Sequence, residues 1–125
     1  MKKTIISLLA LALCLTLPSC GKKGADATKP IDQIKAEVAK MDVSQLHDMA
    51  LSYKDTILSK QTDLEKVTTK LKTINPTELL GAKAVDLKKQ MADIERSVSA
   101  LKERFEIYYD QLKQKGGNLT GLEIK

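Results

Sequence analysis

The chain has 125 residues, of which 30% are charged and 3% aromatic, with one Phe and no Trp. That is length for one domain and an apolar inventory too thin for a thick globular core, although it suits long helices with solvated faces. The formal charge is +5, and the basic residues alternate with acidic ones, which argues against a nucleic-acid site.

Met1 to Lys3 is a short basic start, and Thr4 to Leu17 is an apolar run led by Ile5, Ile6, Leu8, Leu9 and Leu11. The run is too short to span a bilayer comfortably, and the order of basic start, apolar run and small residue reads as a secretory signal. It closes on Leu17-Pro18-Ser19-Cys20. This tetrapeptide resembles the lipobox of bacterial lipoproteins, with Leu17 three residues before the cysteine and the small Ser19 just before it. Pro18 departs from the small residue usual at its position. Cys14 follows Leu13, which is not small, so Cys20 is the better match.

The resemblance implies removal of residues 1–19 as a signal peptide, diacylglyceryl modification of the Cys20 thiol and acylation, for example with palmitate, of its new amine. It also implies a place in the bacterial cell envelope. Gly21 rather than Asp after the cysteine favours the periplasmic face of the outer membrane. The alternative is a plain secretory signal with an incidental cysteine. After cleavage 106 residues remain, with a charge of +3 and no disulfide.

Residues 20–29 read as the lipidated cysteine and a flexible tether, because glycines, small residues and lysines dominate Gly21 to Lys29. The helical domain is expected over 30–115. Pro30 suits a first helical turn, and Ile31, Ile34, Val38 and Met41 come after it at three-four spacing, which predicts a short helix A over about 30–41. The spacing then breaks. Asp42 with Gln45 forms a capping-box pattern, so a new helix should start at Val43.

Helix B is expected over about 43–74. Its seam is Val43, Leu46, Ala50, Tyr53, Ile57, Leu64, Val67, Leu71 and Ile74, with Lys60 as the one intruder. The Lys60 ammonium should reach for solvent while its stem covers apolar surface. Pro76 disfavours helix at Asn75, and Asn75 with Glu78 offers a cap for the next helix. Helix C is expected over about 77–115, softly kinked at Gly81, with a seam from Leu80 through Ala84, Leu87, Met91, Ile94, Val98, Leu101, Phe105 and Tyr108 to Leu112. Gly116-Gly117-Asn118 is a stop signal, and 116–125 is a tail that docks or stays mobile.

Two seams of this kind predict an all-α fold: a long antiparallel helical hairpin, coiled-coil-like, with a short third helix packed at its open end. One register pairs Ile74 with Ala84, Val67 with Met91, Ile57 with Leu101, Tyr53 with Phe105 and Leu46 with Leu112; a one-heptad slip stays open. Leu51, Leu58, Tyr109 and His47 lie off the seam and should line the groove that receives helix A.

No residue pattern declares a reaction. There is no phosphate loop, no paired Cys/His ligands and no nucleophile with a base, and the lone His47 reads as a flank residue. No catalytic, cofactor or metal residue is expected, and the chain is not expected to be an enzyme. The leading reading is a membrane-anchored, non-catalytic scaffold or adaptor. Its partners would be the lipid membrane through acylated Cys20 and either an envelope protein or a second copy, with no nucleic acid. The alternative is a chaperone-like holdase or an immunity-type inhibitor. A third reading comes from Lys125, which is similar to the cell-wall-linked terminal lysine of the major outer-membrane (Braun-type) lipoproteins.

Overall fold

A computed structural model describes residues 24–124. Among the described residues there are three α-helices and one short 3-10 turn, in the order α1 (Ile31–Val38), α2 (Val43–Lys72), the turn Pro76–Glu78, and α3 (Ala82–Gln114). There is no strand among the described residues. The fold is all-α: α2 and α3 form a long antiparallel hairpin, about 45 to 50 Å from end to end at 1.5 Å per residue, and α1 packs at its open end.

Local signals explain the start of α2. The Asp42 carboxylate accepts from the Gln45 amide at 2.8 Å, and the Gln45 side chain accepts from the Asp42 amide at 3.1 Å. This reciprocal cap satisfies two otherwise unpaired amides and separates α2 from α1. Gly116 ends α3 with φ +69°, where a side chain would be strained. The Gly116 amide donates to the Lys113 carbonyl at 3.0 Å and the Gly117 amide to the Leu112 carbonyl at 2.9 Å, the double closure of a Schellman stop.

The hairpin turn differs from expectation. Glu78 donates its amide to the Asn75 carbonyl and Gly81 donates to Glu78, which makes tight three-residue turns; no Asn75 side-chain cap forms. Gly81 is the N-cap of α3, in extended conformation, not a kink inside a longer helix. Helix C therefore begins at Ala82, and Leu80 leaves the seam and stands 93% exposed. Helix A is also shorter than expected, because single turns at Lys40 and Met41 replace its last residues.

The seam itself is occupied as expected from Ala84 to Leu112 and from Leu46 to Ile74, with Lys60 half-buried, but Val43, the expected first seam residue of helix B, is exposed. The Thr68 hydroxyl meets the Met91 sulfur at 3.6 Å, next to the expected Val67–Met91 layer, so no heptad slip occurs. Tyr53 stacks on Tyr108, with ring centroids 5.3 Å apart, instead of facing Phe105; Phe105 meets Tyr109 at 5.7 Å.

The core is uneven along the rod. Toward the open end Leu46, Ala50, Tyr53, Ile57, Leu101, Tyr108 and Leu112 are buried together with Ile34 and Val38 of α1 and Leu122 of the tail. Toward the closed end only two helices meet, and Leu64, Leu71, Met91 and Ile94 are half-buried.

Candidate functional site

Two segments with no helical period close the open end. Residues 24–29, expected to belong to a flexible tether, run along α2 and α3. The Ala25 amide donates to the Ser52 hydroxyl at 3.2 Å, the Tyr53 hydroxyl donates to the Asp26 carbonyl at 3.2 Å, and Arg104 Nε donates to the Lys29 carbonyl at 2.9 Å. Lys29 also pairs with Glu37 of α1. Ala25 and Ala27 pack on the core, so this stretch is held by small apolar side chains and backbone hydrogen bonds that its composition does not advertise.

The stretch also carries its own local turn. The Thr28 hydroxyl and amide both donate to Asp26 Oδ1, at 2.6 and 2.7 Å, and hold the Asp26 carboxyl below the usual carboxylate range.

The other side of the open end is closed by the tail. A turn at Asn118 to Leu122 brings Leu122 to zero exposure, with Leu119 and Ile124 beside it. Lys54 Nζ donates to the Gly121 carbonyl, and Lys115 Nζ donates to the Met41 carbonyl. The tail therefore docks, and it shares a groove with Phe105, Tyr109 and Lys102. This corrects the expected position of helix A. α1 packs against α3, and its Gln33 shares a groove with Met49 and Tyr53 of α2. The tail takes the place beside Tyr109, while Leu51 and Leu58 stay exposed and His47 is half-buried.

Arg104 is the buried charged residue that sequence reasoning missed. It is 8% exposed, and besides Lys29 it donates from Nη1 to the Ala100 carbonyl at 2.8 Å. On a helical wheel it reads as one more flank cation, and nothing in its neighbours announces the carbonyl it serves. Tyr108 is the second unusual group. Its hydroxyl is fully buried without a hydrogen-bond partner, and burial, with Tyr53 and Glu37 nearby, pushes its phenol above the ordinary value.

Among the described residues no group of three or more His, Cys, Asp or Glu is placed to hold a metal, and no helix is long and apolar enough to cross a membrane. Cys20, the expected lipidation residue, lies outside the described residues, as do the rest of the signal segment and Lys125. No protein-family model matches the chain, and neither the curated proteins nor the solved structures contain a match. What the geometry offers is a rod with a tightly closed thick end and a thin, two-helix free end.

Proposed function

We propose that the protein is a lipid-anchored component of a bacterial envelope that acts as a non-catalytic helical scaffold or adaptor. The observation that carries this reading is the Leu17-Pro18-Ser19-Cys20 tetrapeptide after a basic start and an apolar run. The anchor would be acylated Cys20, and its acyl chains, at about 0.8 kcal/mol per buried CH₂, would hold the chain essentially permanently. Gly21 favours the periplasmic face of the outer membrane as its address. The long paired helices support a role in protein contacts, since a rod offers exposed ridges over a large length.

The docked segment 24–29 adds a geometric consequence. Only residues 21–23 separate Cys20 from the docked chain, and four extended steps reach about 14 Å. A lipidated Cys20 would therefore hold the thick end of the hairpin close to the bilayer, and the closed end would be the part that explores the surroundings.

Crosslinking in living cells from Ser59 and Ser99, both exposed, tests the adaptor reading. Capture of one stoichiometric envelope protein is the expected result. Capture of many unrelated proteins would assign a holdase instead. Capture of only the chain itself would assign a self-assembling structural lipoprotein.

A further inference from the structure

The closed end of the hairpin combines exposed apolar side chains with an excess of lysine. Leu79 and Leu80 lie on the turn with Val85 just beyond it, and Leu80 is the most exposed of the large apolar residues, at 93%. Among the described residues six large apolar side chains stand exposed, and these three fall within seven positions of one another. The charge is also sorted by position. Residues 20–125 carry nineteen Lys or Arg against sixteen Asp or Glu, a charge of +3. Residues 70–89 hold five lysines against Glu78 and Asp86, so this end carries +3 and the rest of 20–125 is balanced. Lys70 and Lys83 come together in one groove across the turn, and Lys72 closes the last turn of α2.

We infer that the Leu79–Leu80 turn, with Lys70, Lys72 and Lys83 around it, is a docking tip for an anionic lipid surface. The side-chain chemistry chooses lipid over protein. Protein interfaces are depleted in Lys and enriched in Arg and aromatic residues, and residues 70–89 contain neither. Flexible lysines around protruding leucines are what a headgroup layer accommodates: the leucines enter the acyl boundary while the ammonium groups stay among phosphates. The exposure agrees, because Leu80 stands 93% exposed on the turn and can enter a headgroup layer without a groove fitted to it. The inference rests on the tip alone and stands whether or not Cys20 is acylated.

The test uses residues 20–125, which contain all of the described fold, with Cys20→Ser and Leu80→Cys, carrying an environment-sensitive fluorophore at position 80. A second chain carries the probe at Ser59→Cys in the middle of the rod. With vesicles containing phosphatidylglycerol, the probe at 80 should shift to the blue and become quenchable from within the bilayer, while the probe at 59 stays in water. Phosphatidylcholine vesicles should leave both unchanged. Each lysine strengthens binding to an anionic surface about fivefold, so Lys70→Gln, Lys72→Gln and Lys83→Gln together should weaken the tip response about a hundredfold. These are exposed positions, and unchanged circular dichroism confirms that the variants fold. An equal response on both vesicle types would overturn the inference. So would a silent probe at position 80 on phosphatidylglycerol vesicles, and crosslinking of the tip to an acidic protein in cells would then assign it to a protein partner.

Discussion

Arg104 on α3 donates its Nε hydrogen to the carbonyl of Lys29, across 75 positions of sequence and at 2.9 Å. This bond joins the segment that leads in from the N-terminus to the longest helix of the fold. Arg104→Ala leaves a carbonyl without its partner and a cavity where the guanidinium lay, so a loss of about 2 to 3 kcal/mol is expected. Hydrogen exchange should rise first over residues 24–38. Arg104→Lys should not restore protection, because an ammonium lacks the fork that serves Lys29 and Ala100 together. Unchanged exchange over 24–38 in Arg104→Ala would contradict this role.

The Tyr53–Tyr108 stack contains one satisfied hydroxyl and one orphan, and the two should respond in opposite directions. Tyr53→Phe loses the bond to the Asp26 carbonyl and should cost about 1 kcal/mol. Tyr108→Phe removes a buried hydroxyl without a partner and should raise stability by about 1 kcal/mol. Thermal melts of both variants at neutral pH read the contrast.

The same hydroxyl gives a pH signature. Its folded-state pKa lies above the unfolded value, chiefly through burial, so the folded chain holds that proton more tightly. The resulting stabilisation is complete below the ordinary tyrosine value near 10 and is lost as pH rises from there toward the folded-state value. Denaturant titrations should show stability falling above about pH 10 more steeply in the parent than in Tyr108→Phe. Parallel slopes would show that Tyr108 ionises equally in both states.

Gly117 sits where a Cβ would lie 2.1 Å from Leu112 Cδ1 and 2.9 Å from Val43 Cγ1. Leu112 is fully buried and has little room to retreat. Gly117→Ala should therefore cost about 1 to 3 kcal/mol by overpacking. Gly116→Ala meets open space and costs only its left-handed backbone, about 1 kcal/mol. Equal melting temperatures for the two variants would mean that the tail is not seated against Leu112.

Stability should be polarised along the rod. Leu122→Ala and Leu101→Ala both open cavities in the thick end and should each cost about 2 to 4 kcal/mol. Leu64→Ala, at a half-buried site between two helices only, should cost nearer 1 kcal/mol. Native-state hydrogen exchange should find the slowest amides around Tyr53 and Leu101, with the turn at Asn75 opening first.

The periodic part of this fold was legible from residues alone. The two seams, the Asp42–Gln45 cap and the Gly116-Gly117 stop each rest on local rules, and each has its counterpart in the hairpin. What escaped was whatever lacks a period. Ala25, Ala27 and Leu122 bury themselves from segments with no repeat, so composition alone assigned the first two to a tether and left Leu122 undecided. Leu80 fitted the seam spacing, yet Pro76 and Gly81 turn the chain before the helix begins. Arg104 looked like a surface cation because its partner is a backbone carbonyl, which no side-chain pattern reveals.

Mass analysis of the N-terminal peptide of the protein purified from bacterial membranes tests the central functional claim most directly. The account predicts a chain that begins at Cys20 and carries a diacylglyceryl group on its thiol, with a further acyl group on its amine. Conversion of Cys20 to Ala should release the protein from the membrane fraction. A chain that begins elsewhere, or an unmodified Cys20 in protein that fractionates away from membranes, would contradict the anchor and the adaptor role built on it.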